Sequence, residues 1–218
     1  MEKRRKVEQK EAIRIGIFGA SGSGKTYRAR ELTAKSNRLI VFDGLGEFAR
    51  NNTFDFFQSL EGLKKAMQKD FMRGFRYVFL PRYGYEVEEL DALSRYLIGL
   101  QSGFNTGISS AKLTLLVDEL DLSFPSGICQ RDKRNAFGYL CKRGRHYGIN
   151  LVGVSQRTAQ VDIAFRANMS AVYIFRHSEP ADIDTAKKIL GKEYAETLRN
   201  LKDRQYIYKT GGSVAVKK

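Results

Sequence analysis

Short, largely apolar runs alternate along this chain with stretches whose apolar positions recur every three or four residues. The runs predict strands at Ile13–Phe18, Arg38–Phe42, Tyr77–Leu80, Leu113–Val117, Asn150–Ser155 and Ala171–Phe175. A late pair, Gln205–Tyr208 and Ser213–Val216, flanks the turn-like Gly211-Gly212 and reads as a hairpin. The amphipathic stretches predict helices over Lys25–Ala34, Leu60–Gln68, Val87–Leu100, Arg131–Arg143, Asp162–Ala167 and Ala181–Leu190. Strand and helix in strict alternation define an α/β fold, a mostly parallel sheet wrapped by helices. Gln101–Ser110, rich in Gly and Ser, is expected to be a mobile loop. There is no internal repeat and no low-complexity linker, and 218 residues suffice for one sizeable core but not two. The expected organisation is a basic arm over residues 1–12 and a single domain over 13–218.

The first apolar run leads into Gly19-Ala20-Ser21-Gly22-Ser23-Gly24-Lys25-Thr26, a complete G-x-x-x-x-G-K-[ST] phosphate-binding loop, followed by Tyr27 and a helix-compatible segment. Gly19, Gly22 and Gly24 permit a tight turn whose N–H groups point at phosphate oxygens, at the positive end of the next helix. Lys25 then reaches the β- and γ-phosphates of a nucleoside triphosphate such as ATP, and the Thr26 hydroxyl is a ligand for Mg²⁺. A glycine-rich turn with no ligand is the alternative, and the strand before and helix after argue against it.

Leu113–Val117 closes on Asp118-Glu119, a Walker B pattern. Asp118 is placed to hold the Mg²⁺ shell through water, and Glu119 to orient or deprotonate the water that attacks the γ-phosphate. The bland alternative is a buried strand ending in a solvated acidic loop, and Asp121 shows that acids gather here. Kinases that pass phosphate to a small acceptor have less use for that second acid. The next strand ends in Ser155-Gln156, whose carboxamide can donate to a phosphate oxygen and accept from water, which makes Gln156 a candidate γ-phosphate sensor. Equally, it is a polar residue capping a strand.

Composition narrows the setting. Two cysteines give no disulfide framework and two histidines give no zinc-type cluster, which points to a reducing compartment. The charged N-terminus is not followed by an apolar core, and no run approaches the ~18 apolar residues of a membrane span. A soluble protein is expected. The net charge of +14 favours a polyanionic partner, nucleic acid first, although a solvated basic surface with no partner gives the same count. Positive residues gather in the arm at Lys3, Arg4, Arg5 and Lys6, and along Arg131, Lys133, Arg134, Lys142, Arg143 and Arg145.

The stretch RHYGINLVGVSQRTAQVDIAFRANMSAVYIF, Arg145 to Phe175, resembles the HerA/FtsK group of DNA-pumping P-loop ATPases, which are RecA-like in build. So do VFDGLGEF after the second strand and FLPRYGYEVEELDALSRYL before the Walker B strand, similar to that group's extra strand and helix. Without FtsK's membrane and linker regions or HerA's added domains, the chain is most similar to compact genome-packaging ATPases of icosahedral viruses with internal membranes. It resembles the zonula occludens toxin group of phage assembly ATPases more distantly. The resemblance implies a Mg²⁺-dependent ATPase that translocates double-stranded DNA as a ring, usually a hexamer. It further implies nucleotide between subunits, capsid, portal or vertex proteins as partners, and residence in the host cytoplasm or with the virion. An arginine is then supplied in trans. Arg145 occupies the group's position before Gly148-Ile149, with Arg143 and Arg157 as reserves and a solvated or DNA-facing charge as the alternative. DNA contacts would be to phosphates. Leu122–Gln130 with Arg131, Lys133 and Arg134 is a candidate channel surface, or else an exposed helix face. The arm is a candidate to hold DNA, a neighbouring subunit, or a capsid or membrane surface. Three rivals remain: a cellular or conjugative translocase, a small-molecule kinase whose basic stretch closes over phosphate, and a nucleotide-switched assembly protein.

Overall fold

A computed structural model describes residues 12–51 and 54–217, so the basic arm up to residue 11 lies outside the described residues. Ala12, counted with the arm from sequence, is buried at the foot of the first strand. In chain order the elements are β1 (Arg14–Phe18), α1 (Lys25–Thr33), β2 (Arg38–Asp43), β3 (Asp55–Phe57), α2 (Leu60–Asp70), β4 (Phe75–Phe79) and α3 (Glu86–Leu100). Then come α4 (Ser102–Asn105), β5 (Leu113–Asp118), α5 (Leu120–Ser123), α6 (Ile128–Arg131), α7 (Ala136–Arg143) and β6 (Ile149–Ser155). The chain continues with α8 (Ile163–Arg166), β7 (Ala171–Phe175), α9 (Pro180–Leu190), α10 (Ala195–Asn200), β8 (Tyr206–Thr210) and β9 (Ser213–Lys217).

The strands form one nine-stranded sheet in the order β3-β4-β2-β5-β6-β1-β7-β8-β9. Every pairing from β3 to β7 is parallel, while β7–β8 and β8–β9 are antiparallel, as the predicted hairpin requires. Alternate residues feed two separate cores. Ile15, Ile17, Leu39, Val41, Leu116 and Val152 pack with Ala29 of α1 and with Phe48. Phe18, Ile40, Phe42, Leu115, Val117 and Leu151 face the opposite way, onto Leu63, Leu93, Leu140, Phe165 and Ala186 from α2, α3, α7, α8 and α9. Both faces are covered, which is why the parallel strands read as continuous apolar runs.

Two expectations are corrected. Gln101–Ser110 is not an open loop: it begins as α4, and its Phe104 is buried with the ring against Gly148. The small polar residues surround one anchoring aromatic. The single helix Arg131–Arg143 is broken into α6 and α7, because Asp132 accepts from the Arg134 N–H at 2.9 Å and Asn135 caps α7 by accepting from Gly138 N–H at 2.9 Å. Such side-chain bonds to nearby backbone compete with a continuous helix.

Candidate nucleotide site

The strand order places β1 between β6 and β7, so the loop leaving β1 is seated on the ends of both. Gly19 N–H donates to the Ser155 carbonyl at 3.3 Å and Ala20 N–H to that of Arg176 at 2.8 Å. Gly24 caps α1 at φ 108°, a left-handed conformation suited to glycine, with no side chain capping the helix. The first-turn N–H groups are thereby left facing the loop. Ser21 and Gly22 line the cleft in front of it, while Ser23 Oγ is buried without a hydrogen-bond partner. From the far side Arg204 N–H donates to the Ser23 carbonyl at 3.0 Å.

The cleft is about 390 Å³ and is lined by Gly24, Lys25, Thr26, Tyr27, Glu47, Asp118, Glu119 and Gln156 beside the loop residues just named. The phosphate-loop motif, the Asp118-Glu119 pair and the Gln156 amide, read from separate segments, thus converge. Lys25 Nζ donates to the Ala20 carbonyl at 2.9 Å, folded back on its own loop. Burial lowers the Lys25 pKa, against the opposing pull of Glu119 and Asp118. Asp118 is pushed up to about 7 by burial first, then by the charges of Glu119, Asp43 and Glu47. Burial also raises Glu119, while the bond from Gln156 Nε2 to its Oε1, 2.7 Å, works the other way. Glu119 has φ 49°, and Arg204, with φ 67°, is the other non-glycine residue with positive φ among the described residues. Such backbone is costly and clusters at functional sites.

Two acids without an assigned role from sequence belong to this region, Glu47 in the cleft lining and Asp43 buried behind it. Asp43, at the end of β2 and in register with Asp118, is fully buried and accepts from the N–H groups of Glu47, Phe48 and Ala49. Glu47 accepts from Thr26 Oγ1 at 3.2 Å. Both lie in VFDGLGEF; for Asp43 the available signal was the same as for Asp118, an acid closing an apolar strand, whereas no local pattern marked Glu47. Among the described residues no three His, Cys, Asp or Glu side chains converge as a metal cage. Mg²⁺ held through a nucleotide takes only one or two protein oxygens beside phosphate and water. The Thr26 hydroxyl and Asp118 carboxylate are hard oxygen donors of that kind, so the residues fit a Mg²⁺-nucleotide complex.

The remaining site candidates lie elsewhere. Arg145 is exposed in the turn before β6, and β6 separates it from Gln156 by roughly 20 Å at strand rise. It sits at the opposite end of the strands from its own cleft, while Arg143 is exposed at the end of α7. Arg157 is tied to buried Asp182 of α9 at 2.9 Å, and Asp182 also accepts from Ala159 N–H. Arg131, Lys133 and Arg134 are exposed, the last two lining a notch of about 400 Å³ with Arg95 and Tyr139. Leu122–Gln130 is folded down, since Ser126 N–H donates to the Gln160 carbonyl at 2.6 Å.

No protein-family model matches the sequence, and no curated protein does. Solved structures do match. The genome packaging NTPase B204 of Sulfolobus turreted icosahedral virus 2, in complex with AMPPCP, aligns at a TM-score of 0.72 and 17% identity over 94% of this chain and 97% of that one. VirB4 of Thermoanaerobacter pseudethanolicus aligns at 0.59 and 13% identity, covering 94% of this chain and 88% of VirB4. EssC from Geobacillus thermodenitrificans aligns at 0.56 and 10% identity over 93% of this chain and 38% of that one. The chain therefore shares the fold of these solved structures, a mostly parallel α/β sheet flanked by helices.

Proposed function

We propose that this protein is a Mg²⁺-dependent ATPase that translocates double-stranded DNA, packaging a viral genome into a preformed capsid. The observation that carries the reading is the Gln156–Glu119 bond beside the phosphate loop, in a fold shared over 94% of this chain with a viral genome packaging NTPase. Lys25 and the loop N–H groups bind the β- and γ-phosphates, and Thr26 and Asp118 hold the metal. When bound, Mg²⁺ neutralises charge on the phosphate oxygens. Glu119 accepts a proton from water as its oxygen bonds to the γ-phosphorus and the bond to the β-phosphate oxygen breaks. Gln156, whose amide donates to Glu119, is within reach of the γ-phosphate position as well, and exchanging one acceptor for the other lets it report the phosphate. Arg145, too far from its own cleft, serves the cleft of a neighbour in a ring, where its guanidinium meets developing charge.

DNA is held through phosphates by Arg131, Lys133 and Arg134, because a motor moving a whole genome must not pause at particular sequences. Capsid or vertex proteins are the expected partners, in the host cytoplasm or at the virion. Among the described residues no helix is long and apolar enough to cross a membrane. Steady-state ATP hydrolysis with and without linear duplex DNA, at low salt, tests the reading. DNA should stimulate turnover, Glu119→Gln should abolish it with nucleotide binding kept, and stimulation should fade as salt rises. Turnover indifferent to duplex DNA and stimulated by a small phosphate acceptor would replace the motor with a kinase.

A further inference from the structure

A threonine hydroxyl that turns an oxygen lone pair to a cation must send its hydrogen elsewhere. Here the acceptor is Glu47, whose Oε2 lies 3.2 Å from Thr26 Oγ1. The backbone of Glu47 is held on both sides. Its N–H donates to Asp43 Oδ1 at 3.0 Å, and its carbonyl accepts from Arg30 Nη2 at 3.0 Å. Asp43 is itself buried, and its second oxygen takes the N–H groups of Phe48 and Ala49. Phe48 is buried beneath the Arg30 guanidinium, 4.9 Å from the ring centroid. A chain from the β2 terminus to α1 thus fixes where the Glu47 carboxylate begins, and its side chain lines the same cleft as Asp118 and Glu119.

We propose that Glu47 is a positioning residue for the Mg²⁺-nucleotide complex. By accepting the Thr26 O–H it turns the hydroxyl oxygen toward the cation, which makes the β2 loop a third element of the site beside the phosphate loop and the β5 terminus. The inference rests on reading the cleft as a nucleotide site, and it needs neither DNA nor hydrolysis. It carries a signature that general loosening of the site does not. A carboxylate beside phosphates opposes nucleotide binding when no cation is present and favours it when one is. Removing it should therefore move the two affinities in opposite directions.

Binding of a fluorescent ADP analogue, titrated with Mg²⁺ upward from a chelated start, separates these effects. In Glu47→Ala the Mg²⁺ concentration giving half the gain in affinity should rise about five- to tenfold, the loss of one charge-assisted hydrogen bond. Affinity in chelator should stay level or improve. Glu47→Gln keeps an acceptor oxygen without the charge, so it should restore much of the Mg²⁺ midpoint while keeping the improved metal-free affinity. Glu47 is exposed to solvent, so neither change removes core contacts. An unchanged Mg²⁺ midpoint in Glu47→Ala, or weakening by the same factor with and without Mg²⁺, overturns the inference alone. A wild-type protein that binds no nucleotide under either condition overturns the reading of the cleft and the inference with it.

Discussion

Asp118 shows what the site costs its own residues. Burial and three neighbouring carboxylates raise its pKa from 3.8 to about 7. Between those values the folded chain holds a proton that the unfolded chain has released, so stability falls as pH rises through this window. Asp118→Asn stays neutral throughout. In chelator it should gain up to about 4 kcal/mol over the wild type at pH 8, seen as a rise in Tm, and little at pH 4. A thermal melt at both values checks this, and an equal gain at each pH would assign the effect to packing rather than charge. The Lys25 ammonium meets the same burial but keeps a partner, the Ala20 carbonyl. Phosphate can replace that carbonyl as acceptor without leaving the ammonium unpaired. Lys25, Thr26, Asp118 and Glu119, which line one cleft, were singled out in sequence because each sits within a few residues of the glycines or the strand that form its motif. Glu47 was not, since its role depends on Thr26, twenty-one positions earlier in the chain.

At the scale of elements, the strands buried on both faces were legible and the short connecting pieces were not. β3 spans three residues at the sheet edge, with Asp55 and Phe56 exposed, too few to show a period. α4 was hidden by its small polar composition, yet Phe104 makes it part of the molecule. Gly148, at φ 63°, lets the chain turn into β6, and a Cβ there would lie 2.5 Å from the Phe104 ring. Gly148→Ala should therefore cost about 1–3 kcal/mol in urea unfolding, combining overpacking with a strained backbone, while nucleotide binding at the far end of β6 stays unchanged. The break between α6 and α7 was written in Asp132 and Asn135, but helical periodicity on either side outweighed two capping residues in a reading by pattern.

For the whole molecule, the sheet separates two groups of candidate site residues that the sequence interleaves. The acids and the phosphate loop gather where the parallel strands end, and Arg145 stands where β6 begins. A ring that brings one copy's Arg145 to the next copy's cleft makes a defined prediction. Glu119→Gln and Arg145→Ala proteins should each be inactive alone, and mixing them should restore part of the ATPase rate, because some interfaces then combine an intact cleft with an intact arginine. Mixtures that stay inactive while assembling as the wild type does would rule out Arg145 as the residue supplied in trans.

The sequence by itself determined the α/β class, the strands of the central sheet, the phosphate loop and the Walker B pair, because these depend on periodicity and on residues adjacent in the chain. Tertiary structure decided that β5 pairs with β6, which brings Gln156 within 2.7 Å of Glu119, and that β1 lies between β6 and β7, which seats the phosphate loop beside them. It also decided that β2 lies beside β5, which sets Asp43 against Asp118 and carries Glu47 to Thr26. Strand order follows from how the amphipathic helices cover both faces of the sheet, a property of the packed chain that no local window contains.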